Sequence, residues 1–271
     1  MKLFLSQLKP ALNLCCKNRG FFLLTVLLDI IFFFVVILIN YFSLLAMKEY
    51  ITKFTDLVQA SLVEIGMSNT TQGISPGMFR TPEIMGVYHQ ILKYLIILVV
   101  LVLVSWIVFK GINWFIANRL IRKVNFKEYA LKFIPHTLFA FLCFMIIILI
   151  MLRLVSYATF EFLPLIGTSG ARILTFLLIW VLAYFVFISY SSIPKMSCRD
   201  IVKFGLKNYR QVLPAHLLIS FVLLMLAYIT VFIIRFNYYA PFVFGILVFF
   251  PVAAYGRIYI VVVINKVLKR G

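Results

Sequence analysis

The chain has 271 residues, is 64% hydrophobic, has a mean hydropathy of +1.09 and carries a formal net charge of +18. A water-soluble domain of this length cannot bury that much apolar surface, which excludes an ordinary soluble enzyme or carrier. The positive charge invites a nucleic-acid reading. However, it lies in short segments flanking apolar runs, no aromatic-basic surface domain exists to carry such binding, and no nucleic-acid partner is expected.

The N-terminal twenty residues carry Lys2, Lys9, Lys17 and Arg19, with apolar residues between them at roughly helical spacing. That pattern predicts a short helix lying in the membrane interface, its stems buried and its charges among headgroups. Cys15-Cys16 read most simply as small apolar residues, or else as an acylation site beside the membrane. The first apolar segment, Phe21–Phe42, is longer than a leader's apolar core and has no small-residue cleavage site after it, so it is expected to stay as helix one.

The outer loop from Lys48 to Gln90 follows. Met47, Tyr50, Ile51, Phe54, Leu57, Val58, Leu62 and Ile65 fall on one helical face, so its first half either extends helix one or lies on the outer surface. Ser68 to Gly77 is a polar turn region that includes the sequon Asn69-Thr70-Thr71. Thr81-Pro82-Glu83 then has the order of an N-cap, a proline at the first helical position and an acid in the first turn, predicting a helix that runs into helix two.

The remaining apolar segments are Tyr94–Phe115, Phe133–Leu152, Ile173–Tyr190, Val212–Ile234 and Pro241–Ile264. Each is near the ~20 residues that cross a ~30 Å hydrocarbon core as a helix, the form that satisfies its own backbone in lipid. Between the second and third lie Arg119, Arg122, Lys123, Lys127 and Lys132, with Lys110 at the edge. Between the fourth and fifth lie Lys195, Arg199, Lys203, Lys207 and Arg210, and after the sixth come Lys266, Lys269 and Arg270. The opposite loops hold few bases and most of the acids: Glu49, Asp56, Glu64, Glu83 and Glu161. This asymmetry places both termini in the cytoplasm. Lys17, Arg19, Arg122, Lys123, Lys127, Lys203, Lys207 and Arg210 become the expected contacts to anionic lipid headgroups.

The odd-numbered helices share an entrance. Lys17-Asn18 precedes helix one, Lys207-Asn208 precedes helix five, and a basic amphipathic stretch from Asn125 precedes helix three. Pro135 and Pro214 follow the later two entrances, where proline suits a first helical turn. Matching Leu24, Pro135 and Pro214 gives repeat spacings of 111 and 79 residues. The expected fold is therefore all-α: a polytopic membrane protein of six transmembrane helices in three interfacial-helix/hairpin units, forming one integral membrane domain over residues 1–271. The Lys17-Asn18 and Lys207-Asn208 entrances give the chain an outline that resembles prokaryotic multi-pass families, such as the membrane domain accompanying some glycerophosphodiester phosphodiesterases. The resemblance implies a membrane fold only; no phosphodiesterase catalytic domain is attached, and no active-site residue carries over.

Asp29 is the sharpest single residue. It lies eight residues past Phe21, about 12 Å along the helix. An acid there is costly and faces a protein interior, a cavity or a basic partner. Arg257 lies seven residues from the inner end of helix six, about 10 Å deep, and is the best partner. Such a pair serves either as a substrate or proton site or as a clamp between the first and last helices. Pro251, mid-way through helix six, is expected to kink or locally unwind it. His89, His136 and His216 have no acid or cysteine at metal-ligand spacing, and no zinc, P-loop or G-x-S-x-G motif occurs, so no metal, cofactor or catalytic residue is expected. The expected function is a non-enzymatic accessory, scaffold or lipid-interacting role in a prokaryotic cytoplasmic membrane, with a possible protein partner in the membrane. A small permease or channel near Asp29 and Arg257 is the alternative, and a membrane-embedded lipid enzyme the third.

Overall fold

The structure is a computed structural model that describes residues 2–64, 81–159, 167–193, 195–237 and 239–269. The expected sequon at Asn69, the turn region Ser68–Gly77, Glu161 and the last two residues lie outside them. Among the described residues every regular element is helical, and six helices are long and apolar enough to cross a membrane. These are Arg19–Ala60, Pro82–Arg119, Phe126–Leu154, Ser169–Ser192, Tyr209–Ile234 and Ala240–Leu268, and each contains one of the apolar segments read from the sequence. The protein is an all-α polytopic membrane protein.

In chain order the elements are α1 (Lys2–Leu5), α2 (Leu8–Lys17), α3 (Arg19–Glu64), α4 (Pro82–Ser105), a π turn (Trp106–Lys110), α5 (Gly111–Arg119) and α6 (Phe126–Thr159). There follow α7 (Gly167–Ser192), α8 (Cys198–Lys207), α9 (Tyr209–Ile234), α10 (Ala240–Phe244), a second π turn (Gly245–Phe249) and α11 (Phe250–Leu268). They form two compact units: Met1–Ile30 with Ile107–Gly271, and Ile31–Trp106.

In the second unit helix one does not stop at the membrane. Residues 31–64 of α3 rise about 51 Å along the helix, well beyond a ~30 Å hydrocarbon core. The amphipathic face predicted for the start of the outer loop is thus an extension of helix one. Thr81 is extended, Pro82 opens α4 and Glu83 sits in its first turn, so the N-terminal signal is used, although the Thr81 hydroxyl makes no cap bond. Ring contacts between Phe32 and Trp106 and between Tyr50 and Tyr94, each 5.7 Å between centroids, join the two helices.

The first unit carries the repeat. The shift that superposes Lys17-Asn18 on Lys207-Asn208 also carries α2 onto α8 end for end. At the spacings read from the sequence, the buried pairs Thr25-Val26, His136-Thr137 and Ala215-His216 coincide. The Lys-Asn dipeptide has a physical task. Asn18 and Asn208 leave the helical region (φ −117°, ψ 51° and φ −107°, ψ 18°), so the chain turns from entrance helix to span over one residue. Each side-chain amide donates to the carbonyl four residues back, Leu14 and Phe204, at 3.1 Å, a second bond to an oxygen that also accepts the asparagine's own backbone N–H. In the middle repeat the same position is Tyr129. It has no amide to make that bond, and α6 runs unbroken from entrance into span. Pro135 therefore lies inside α6, and Pro214 lies inside α9, rather than in a first turn.

Each entrance packs on the return helix of the repeat before it. In the middle repeat Phe115 of α5 meets Phe126 and Tyr129 of α6, with ring centroids 5.1 and 5.8 Å apart. In the third, Tyr184 of α7 donates its hydroxyl to the Gly205 carbonyl of α8 at 3.0 Å. Gly205 is needed at that crossing, because a Cβ there would lie 2.8 Å from Phe185 and 3.0 Å from Ile188. The first entrance closes the cycle on the last return helix: Tyr255 and Tyr259 of α11 donate to the carbonyls of Leu8 and Phe4, both at 3.0 Å. Burial of Ala11, Val263, Ile264 and Val267 in one apolar cluster completes the contact.

Candidate functional site

Asp29 lies one helical turn past the buried Thr25-Val26 pair and is itself 2% exposed. One guanidinium nitrogen of Arg257, Nη2, donates to both of its carboxylate oxygens, at 3.0 and 2.7 Å. Lys110, at the end of the first π turn, donates to Oδ1 at 2.6 Å, and Asn113 donates to the same oxygen at 2.8 Å. Lys110 and Asn113 are three residues apart and therefore share a face. The Arg257 guanidinium carbon stands 5.8 Å from the Trp114 ring centroid, a cation–π distance. The cluster thus links helices one, two and six through one acid and two bases. It is held away from water: Arg257 is 8% exposed and Asn113 fully buried, whereas the Lys110 side chain keeps 17% exposure.

The sequence reading named Asp29 and Arg257 and missed Lys110 and Asn113. Lys110 had been grouped with the loop bases, yet it stands five residues inside the end of Tyr94–Phe115, a depth that already marked it as intramembrane. Two side-chain atoms of the cluster, Arg257 Nη1 and Asn113 Oδ1, have no hydrogen-bond partner among the described residues. Pro251 falls in the first turn of α11, directly after the π turn Gly245–Phe249. The local unwinding expected of it takes the form of that wide turn, which accommodates a ring that cannot sit in a regular α-helical interior.

A second buried network closes the inner end of helix four. Asn118, fully buried, donates to the carbonyls of Trp114 and Tyr190 at 2.9 Å each. Tyr129 donates to the Tyr190 carbonyl at 3.2 Å, and Thr137 to the Tyr190 hydroxyl at 3.0 Å. Arg122 donates to Asn118 Oδ1, to the Ser191 carbonyl at 2.8 Å and to the Ile193 carbonyl. The last carbonyls of a helix have no intrahelical donor and carry partial negative charge, so a cation there is favourable. This corrects one expectation: Arg122, grouped with the lipid-facing bases by position, is turned inward onto the end of α7.

The other bases of that group, Lys17, Arg19, Lys123, Lys127, Lys203, Lys207 and Arg210, are exposed. Arg210 lies 5.7 Å from the Tyr209 ring and donates to its hydroxyl at 3.0 Å, which stiffens its side chain at the start of α9. The Ser197–Asp200 capping box sets the start of α8, and the Ser197 hydroxyl holds the Asp200 carboxyl below its ordinary range.

His216 is buried beside Trp180, Tyr184 and Phe187, with ring centroids at 5.0, 5.6 and 5.2 Å, and His136 Nδ1 lies 2.6 Å from the Lys132 carbonyl. Among the described residues, no group of three or more His, Cys, Asp or Glu side chains comes together to hold a metal. Cys15, Cys16 and Cys143 are free thiols; burial pushes the Cys15 thiol up to about 11. The chain matches no protein-family model, and no curated protein or solved structure matches it.

Proposed function

We propose that this is a non-enzymatic integral protein of a prokaryotic cytoplasmic membrane, with both termini inside, whose basic entrances engage anionic lipid headgroups in an accessory or scaffolding role. The observation that carries the reading is a division of labour among the charges. The deep bases Lys110 and Arg257 face an acid, and Arg122 faces helix carbonyls, while seven bases of the entrances and their flanks remain exposed at the ends of the spans. Each exposed Lys or Arg near an anionic leaflet contributes about 1 kcal/mol of attraction. A partner protein in the membrane would use the same face.

Two measurements test this. Reporters fused after Gly271 and within residues 68–77 should report opposite sides of the membrane. Lipids retained after mild purification should be enriched in anionic species over the bulk bilayer. Reporters on one side, or retained lipids matching the bulk, would overturn the proposal.

One observation favours a second reading, a small permease. Arg257 Nη1 and Asn113 Oδ1 have no partner among the described residues, in a cluster to which the first π turn contributes Lys110, a feature that recurs at functional sites. Anion flux into protein-containing vesicles that disappears in Arg257→Leu would select that reading over the first.

A further inference from the structure

We infer that a cavity at the junction of α5 and α6 is a binding site for the phosphate of an anionic lipid headgroup. The inference rests on the lipid-engaging reading and narrows it to one place. The cavity measures about 650 Å³, and its lining includes Phe115, Arg119, Lys123, Val124, Phe126 and Glu128. That is within the range of sites that hold a small-molecule group.

The repeat explains why the cavity is there. At the spacing that superposes Pro135 on Pro214, the ten residues of α8 correspond to residues 119–128. In the first and third repeats this stretch is an unbroken amphipathic helix, α2 or α8, laid against the preceding return helix. In the middle repeat it is divided among the last residue of α5, a loop and the start of α6. The space lies along that divided stretch.

The lining has the chemistry of a headgroup site. Arg119 and Lys123 are exposed, and among the described residues neither has an acid partner. The Arg119 guanidinium lies 6.0 Å over the Phe115 ring, which orients it without neutralising it. Phe126, 54% exposed, extends the apolar side of the cavity, where the glycerol and upper acyl carbons of a lipid would lie. Asn125 caps the first turn of α6 by accepting from the Lys127 amide at 2.9 Å, which places a positive helix end beside the two cations. Glu128 is the one acid of the lining, and Lys132 stands 3.7 Å from its carboxylate. A phosphate group matches the two unpaired cations, and the amphipathic walls favour one carried on a lipid over a free ion.

The test uses the full chain in detergent, with dioctanoyl phosphatidic acid, dioctanoyl phosphatidylcholine and inorganic phosphate as probes, read by equilibrium binding. Arg119→Gln with Lys123→Gln should weaken phosphatidic acid binding about 25-fold, each cation being worth roughly fivefold. Lys53→Gln, at an exposed base of α3 outside the basic entrances, should leave this saturable binding unchanged. Glu128→Gln should tighten it roughly fivefold by removing the single opposing charge, an arm that stands even if the double variant fails to fold. Unchanged binding in both the folded Arg119/Lys123 variant and Glu128→Gln would overturn the site. Inorganic phosphate bound as tightly as the lipid would overturn the lipid source. If Lys203→Gln with Lys207→Gln loses phosphatidic acid while the folded Arg119/Lys123 variant keeps it, the cavity is wrong and the broader lipid reading stands. Should wild-type protein not distinguish phosphatidic acid from phosphatidylcholine, both fail.

Discussion

Asp29→Asn is the sharpest perturbation, because it removes the single acid from a cluster holding two bases. In the wild type, Arg257 and Lys110 lie 2.7 and 2.6 Å from the carboxylate. Removing one partner of a buried ion pair costs about 3–5 kcal/mol, since the remaining charge is left without compensation. At 1.4 kcal/mol per tenfold, that lowers the folding equilibrium by roughly two to three and a half powers of ten. Arg257→Leu is less damaging: Asp29 keeps Lys110 and Asn113, and the loss is about 2–3 kcal/mol from charged hydrogen bonds and the Trp114 contact. In Asp29→Asn with Arg257→Leu only Lys110 is left over. Its side chain is 17% exposed, and its stem can carry the ammonium toward the interface. The double variant should therefore be more stable than Asp29→Asn alone, which requires a coupling larger than the roughly 2–3 kcal/mol cost of Arg257→Leu. Thermal or denaturant unfolding of the detergent-solubilised protein reads all three. A double variant as unstable as the sum of the singles would refute the reasoning, as would an Asp29→Asn protein indistinguishable from wild type.

Arg122→Gln should cost about 2–3 kcal/mol in the same unfolding assay, because its charged bonds close the carbonyl end of α7; a loss no larger than that of Lys123→Gln would remove Arg122 from the structural network. A maleimide applied to the detergent-solubilised protein at neutral pH should label the exposed Cys16 and spare Cys15, which is buried and whose thiol burial pushes up to about 11; equal labelling in Cys15→Ser and Cys16→Ser would contradict the packing of α2 on α11. The capping bond of Asp200 depresses its folded pKa below the ~3.9 of an unfolded aspartate, so the cap's stabilisation is present above that pH and is lost as pH falls through the folded pKa. Amide protection in the first turn of α8 should then drop selectively under acid, and protection that persists in acid as in neutral buffer would show that the cap does not set the start of α8.

The membrane fold was legible because its signals are local. A run of about twenty apolar residues fixes a span, and a charge asymmetry orders the loops. The repeat could be read from Lys17-Asn18 and Lys207-Asn208, but the task of the asparagine could not. It depends on the amide reaching back to a carbonyl at the helix break, beside the asparagine's own backbone N–H, and in the middle repeat Tyr129, which has no amide, lies in an unbroken helix. The Asp29–Arg257 pair was found by matching depths along two helices. Lys110 satisfied the same depth rule and was missed because it was assigned to the adjoining loop by its charge. Asn113 carries no charge to betray its depth. Arg122 was beyond a sequence reading, since its partners are carbonyls some seventy residues on, whose availability depends on where α7 ends. The π turns were equally hidden: a one-residue insertion re-aims the following helix by about 100° and leaves no compositional trace.

The central claim is that the exposed entrances hold anionic lipid by charge. Its most direct measurement is binding of the purified full chain to vesicles of mixed phosphatidylglycerol and phosphatidylcholine, wild type against Lys203→Gln, Lys207→Gln and Arg210→Gln combined, at low and high salt. The account predicts that the variant loses roughly 1 kcal/mol of anionic-lipid preference per residue at low salt, and that the difference shrinks as salt screens the charges. Equal preference in both proteins at low salt would contradict it and leave the basic loops a role in topology alone.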